Sequence, residues 1–163
     1  MLNHFFEGAG PIEIVAPVVV ALILIALISL LKEPARQKFS AVFVAGAGAA
    51  YLSGGFGIWE FAFCALITFL AFRGLDSYRA IAIAWLLHTV WDFFHHLYGN
   101  PIIPFASTSS FGCAICDPVL ALWYAFGAPS AWRLFKRARP EMSTAGAASD
   151  PHSNRRSVEG GRG

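Results

Sequence analysis

His88-Thr89-Val90-Trp91-Asp92-Phe93-Phe94-His95-His96 places three histidines and an aspartate late in a strongly apolar run. In hydrocarbon such groups are costly unless they are paired or face a polar cavity, so an intramembrane cluster is read as a site by default. At 100° per residue, His88, Asp92 and His95 fall within an arc of about 60°, with His96 and Trp85 on its shoulder. Leu86, Val90, Phe93, Phe94 and Leu97 occupy the other side, an apolar stripe suited to lipid or a neighbouring helix. The segment therefore reads as a helix that is amphipathic inside a membrane, with its polar face inward.

The rest of the chain supports that setting. Hydrophobic residues make up 56% of the 163 positions and charged residues only 13%, against about a quarter in soluble proteins. Long uncharged runs at this composition predict an all-α, polytopic transmembrane helix bundle in the cell's inner (plasma) membrane. A net charge of +2 spread over short loops and a tail is no nucleic-acid signal, so the lipid bilayer is the expected partner. No basic segment precedes the first apolar run, which predicts an uncleaved span rather than a signal peptide.

Spans are expected over about 12–31, 39–53, 58–72, 80–98 and 118–135, within a transmembrane domain covering 1–136. Residues 137–163 are Ser/Gly/Ala/Arg-rich and read as a disordered cytoplasmic tail. Lys32, Arg36 and Lys38 are assigned to the first loop. The second span carries small residues at four-residue spacing (Gly46, Ala50, Gly54; Ala41, Ala45, Ala49), which lets backbones approach closely in lipid. Gly99-Asn100-Pro101 reads as a helix end with its C-terminal glycine and following proline. Residues 101–116 read as a less apolar connection, and Asp117-Pro118 as an N-cap with proline at the first helical position.

Basic residues follow spans one, three and five and are missing from the two alternate connections. The positive-inside rule then places the N-terminus outside and the C-terminal tail in the cytoplasm. At 1.5 Å per residue, His88 lies about 13 Å above Arg79, Asp92 about 20 Å, and His95 and His96 about 24–26 Å. Glu60 lies about 20 Å above Arg73, and Asp117 about 24 Å above Arg133. Glu60 is thus expected level with Asp92, Asp117 level with His95 and His96, all in the outer half of the bilayer.

The chemistry stays open at this stage. His-x-x-x-Asp-x-x-His puts donors on successive turns of one helix face, so His88, Asp92, His95 and His96 are candidate ligands for a divalent transition metal such as zinc. Glu60 or Asp117 would then be the catalytic general base acting on metal-bound water. A hydrogen-bonded packing or proton-relay network explains the same residues without metal. Cys113-Ala114-Ile115-Cys116 offers a redox or soft-metal pair, or two inert thiols; no thioredoxin-like βαβ pattern surrounds it.

The strings from His88 to Ile102 and Gly112-Cys113-Ala114-Ile115-Cys116-Asp117-Pro118 resemble the signature of a family of small bacterial multi-pass membrane proteins of unknown function. The resemblance covers about residues 12–136. It implies an inner-membrane location and brings no activity, substrate or catalytic residue. Membrane desaturases also use histidine boxes but need more than the five histidines of this chain. Ceramidase-like hydrolases have more spans and a second histidine motif. Three functions remain: a metal-dependent membrane enzyme, a small transporter or proton-relay subunit, and a non-catalytic packing or assembly protein.

Overall fold

The computed structural model describes residues 9–132, apart from residue 104 and the side chain of Ser53. The expected end of the fifth span and the tail from residue 137 lie outside the described residues. The fold is all-α: α1 (Pro11–Ile28), α2 (Ala35–Ala49), α3 (Ile58–Gly74), α4 (Tyr78–Leu97) and α5 (Ser109–Ala125). A 3-10 turn over Ala50–Ser53 prolongs α2.

α4 is the centre, packed most extensively on α5 and also against α3 and α2, while α1 covers the far side of α5. The α2 residues that turn inward are Arg36, Ser40, Ala41, Val44 and Gly48. Ser40, Val44 and Gly48 follow Arg36 at four-residue steps with Ala41 beside Ser40, one face of a helix. Gly48 is there for space: a Cβ on it would come within 2.8 Å of the Ile67 side chain on α3. Gly46, the first of the expected Gly46, Ala50, Gly54 row, has nothing within 4 Å of such a Cβ.

Two helix ends share one grammar. After α4, Gly99 takes φ 71°, its N–H bonds to the His96 carbonyl and the Asn100 N–H to the His95 carbonyl. After α5, Gly127 takes φ 78°, and the Gly127 and Ala128 N–H groups bond to the Tyr124 and Trp123 carbonyls. Both are Schellman caps, in which only glycine adopts the left-handed conformation without strain. Each is followed by a proline, Pro101 and Pro129, which cannot continue a helix.

Three sequence expectations change. α2 begins at Ala35, so Arg36 and Lys38 are helical rather than in the loop. Arg36 Nη1 donates to the Ala128 carbonyl at 2.8 Å, and its Nε lies 3.1 Å from Glu33 Oε1. The helix expected to start at Pro118 starts at Ser109 and stops at Ala125. Residues 109–116 are therefore helix and not connection, and Asp117 is no N-cap. Asp-Pro mimicked a helix start, whereas the surrounding packing holds Pro118 inside a helix despite its missing N–H. Gly127 and Pro129 end the helix well before Phe135.

Among the described residues, one helix, Pro11–Ile28, is long and apolar enough to cross a membrane by length and composition. α2, α3 and α5 have 15, 17 and 17 residues, at or below the short end of the ~17–25 residues a span uses.

The Gly48 contact gives a direct check. Gly48→Val should destabilise the fold by about 1–3 kcal/mol through overpacking, while Gly46→Ala should leave the thermal unfolding midpoint almost unchanged. Equal midpoints for the two variants would contradict this packing.

Candidate functional site: a buried carboxyl and imidazole cluster

α4 presents His88, Asp92 and His95 to the interior at three- and four-residue spacing, and each is at most 1% exposed. The other side of the helix leaves Leu86, Val90 and Phe94 exposed. His96 is only half-buried and packs its ring on Phe111 of α5, with centroids 5.1 Å apart. The structure thus separates His96 from the other three.

Asp92 is met from two sides. The Tyr51 hydroxyl, on the 3-10 turn after α2, donates to Asp92 Oδ1 in a very short hydrogen bond. From α5, the Asp117 carboxyl reaches hydrogen-bonding contact with Asp92. Among the described residues no donor reaches Asp92 Oδ2. Ionised carboxylates are acceptors only, so this contact becomes a hydrogen bond when one proton sits between the two groups. Two bare carboxylates at such a separation would instead repel each other.

A second group forms one turn further along α4. Glu60 is 1% exposed and accepts from the Phe56 N–H at 3.0 Å and from Trp91 Nε1 at 2.9 Å. Its Oε1 lies 2.9 Å from His95 Nε2, an ion-pair distance without hydrogen-bond alignment. His95 Nδ1 lies 3.1 Å from the Asn100 carbonyl, which also accepts from Ser110 Oγ at 2.8 Å. With Nδ1–H on that carbonyl, attraction at Nε2 needs a proton there or on Glu60. Gly55 closes over this pair; a Cβ on it would fall 2.7 Å from His95 Cε1 and 3.2 Å from Glu60 Oε1.

His88 lies toward the opposite end. Its Nδ1 is 2.8 Å from the Ala84 carbonyl, one turn back, and its Nε2 has no partner among the described residues. Tyr51 packs between the imidazoles, with ring centroids 5.6 Å from His88 and 5.4 Å from His95. Cys113 and Cys116 are free thiols on α5.

The site residues named from sequence therefore divide. Asp92 and Asp117 meet, Glu60 and His95 meet, and His88 stands beside Tyr51. The expected levels are exchanged: Glu60 faces His95 rather than Asp92, and Asp117 faces Asp92 rather than His95. Counting Asp117 up from Arg133 assumed an unbroken helix, which the Gly127 cap interrupts. Among the described residues no group of three or more His, Cys, Asp and Glu side chains is placed to hold a metal ion. An apolar groove of about 600 Å³ between α4 and α5, lined by Arg79, Leu86 and Leu122 among others, includes none of the cluster.

Sequence reasoning missed Tyr51, Trp91 and the Asn100 carbonyl. Tyr51 had a signal, since it stands three and seven positions after Gly48 and Val44 on the buried face of α2. The Asn100 carbonyl had none, because any residue type supplies one.

Fold and site define a helical protein with carboxyl and imidazole groups sealed between its helices. Residues 12–130 match a family model described as a family of unknown function, DUF6010, and the chain belongs to that family. No curated protein matches it, and no solved structure does.

Tyr51→Phe removes the hydroxyl that donates to Asp92 Oδ1 and should cost about 1–3 kcal/mol, the penalty of an unsatisfied buried acceptor. Tyr98→Phe, at a residue 70% exposed, should stay within about 0.5 kcal/mol. Thermal unfolding of both variants beside the parent measures the difference.

Proposed function

We propose that this chain is a multi-pass inner-membrane protein whose Asp92–Asp117 pair stores and passes a proton, the working part of a small transporter or of a larger transporter's subunit. The observation that carries the reading is the meeting of two carboxyl groups, supplied by different helices, inside an apolar bundle. Stability alone gives little reason for such a pair, since buried titratable groups are costly wherever they occur. Tyr51 holds one oxygen of Asp92, which leaves the other free to exchange a proton with Asp117.

The multi-pass part rests on where polarity lies. Ser40, Glu60, His88, Asp92, His95, Ser110 and Asp117 are buried, while Leu22, Phe61, Phe69, Phe72, Leu86 and Leu122 are each more than half exposed. A water-soluble bundle arranges these classes the other way round. Short helices fit such a membrane protein when basic residues flank them and neighbours shield their polar faces. In this orientation the Lys32–Glu33 and Arg73–Arg79 loops are cytoplasmic, and the Gly54–Gly57 and Gly99–Ser109 connections face outward. Reporters fused after Gly74 should read as cytoplasmic and those fused after Gly99 as external; one common side for both would end the multi-pass reading.

Two measurements test the chemistry. Infrared spectra of the purified protein should contain a protonated-carboxyl stretch that disappears in Asp92→Asn. Proteoliposomes with an imposed pH difference and a clamped potential should equilibrate protons faster than empty vesicles, and Asp92→Asn should remove the gain. Elemental analysis separates this reading from a zinc enzyme. No stoichiometric zinc is expected; one zinc per chain, lost in His88→Ala, would replace the proton reading.

A further inference from the structure

Among the described residues, four buried polar atoms on α4 and α5 besides Asp92 Oδ2 lack a well-aligned protein partner: Trp85 Nε1, His88 Nε2, His95 Nε2 and the Tyr124 hydroxyl. His95 Nε2 stands against Glu60 Oε1, and the Tyr124 hydroxyl has the Ser40 side chain beside it. Trp85 is 3% exposed, His88 1% and Tyr124 0%. Leaving such groups unsatisfied is costly, and native proteins meet the need with ordered water where protein cannot.

These atoms are not scattered. Trp85, His88 and Asp92 occupy positions i, i+3 and i+7 of α4, one face of the helix, and the Trp85 and His88 rings lie 5.2 Å apart. α4 and α5 run antiparallel, since Asp92 meets Asp117 and Tyr78 meets Tyr124. Trp85 is seven residues before Asp92, and Tyr124 seven after Asp117. Both displacements, about 10 Å of helix, therefore lead to the same end of the bundle.

Beyond Tyr124 the line continues to the surface. The Tyr124 ring stacks on Tyr78, with centroids 6.0 Å apart. The Tyr78 hydroxyl donates to the exposed Glu33 carboxylate at 2.7 Å. In the opposite direction the protein supplies its own partners: Glu60 stands against His95, Gly55 and Phe56 pack on that pair, and the Asn100 carbonyl takes His95 Nδ1 and Ser110 Oγ.

The donor pattern suits water. Trp85 Nε1 can only donate. With its Nδ1–H on the Ala84 carbonyl, His88 Nε2 can only accept. The Tyr124 hydroxyl and a protonated carboxyl can do either. Waters along these atoms would meet both donors and acceptors, as buried water requires.

We propose that Trp85, His88 and Tyr124 line a one-sided file of bound water that carries protons between the Glu33–Tyr78 end of the bundle and the Asp92–Asp117 pair. The inference rests on the proton-holding reading of that pair and adds its route and its side. Trp85 orients water without relaying protons; the Tyr124 hydroxyl takes a proton from one water as it gives its own to the next, and His88 Nε2 takes a proton from water to form an imidazolium and returns that same proton, so each group ends neutral.

The test is the rate at which the protonated-carboxyl stretch shifts when full-length protein is moved into D2O. Tyr124→Phe keeps the ring and the packing, and should slow exchange about tenfold, the equivalent of one neutral hydrogen bond. His88→Leu should slow it further. Ser110→Ala, at the opposite end, should leave the rate unchanged. Parental rates in both Tyr124→Phe and His88→Leu overturn the file while leaving the carboxyl pair standing. Slowing confined to Ser110→Ala also overturns it, because access would then come from the other end. Absence of the stretch in the parent removes the proton-holding pair itself, and the file with it.

Discussion

Asp92 and Asp117 are brought together by the two most extensively packed helices of the molecule, and their contact sets conditions that the rest of the bundle meets. Two carboxyl groups cannot lie side bare in an apolar interior without a donor or a proton between them. Tyr51 supplies the donor to one oxygen, which obliges the chain to continue past α2 into the 3-10 turn so that its ring reaches α4. Small residues let that happen. Gly48 allows α2 to seat against Ile67 of α3, and Ala41 and Val44 fill the same inward face.

The cluster is also asymmetric along the bundle. On one side of the carboxyl pair, Glu60 takes hydrogen bonds from Trp91 and the Phe56 backbone and stands against His95, which leans on the Asn100 carbonyl. That carbonyl is available there because the Schellman cap of α4 turns the chain back at Gly99. On the other side, His88 Nε2, Trp85 Nε1 and the Tyr124 hydroxyl have no well-aligned partner among the described residues. A bundle that keeps buried donors and acceptors without aligned partners is built differently from a network that only fixes packing, where each buried polar group finds a partner.

Much of this was legible in the residues. The inward face of α4 followed from helical spacing alone, because His88, Asp92 and His95 recur at the helix period while Leu86, Val90 and Phe94 take the opposite side. The end of α4 followed from Gly99-Asn100-Pro101. The same grammar at Gly127-Ala128-Pro129 marked the end of α5, but the apolar run to Phe135 outweighed it. Asp117-Pro118 misled because capping chemistry is local and looks the same at a helix start as at a proline enclosed within one.

Composition and periodicity by themselves determined that the chain is helical and which α4 residues turn inward, since both depend on near neighbours in sequence. Only the tertiary structure decided the pairings: Asp117 with Asp92, Glu60 with His95, and Tyr51 with Asp92. The physical reason is register. Counting residues fixes depth along a single straight helix, but a cap, a 3-10 turn or an enclosed proline shifts one helix against the next by a turn. A shift of one turn is enough to exchange the partners of every buried charge.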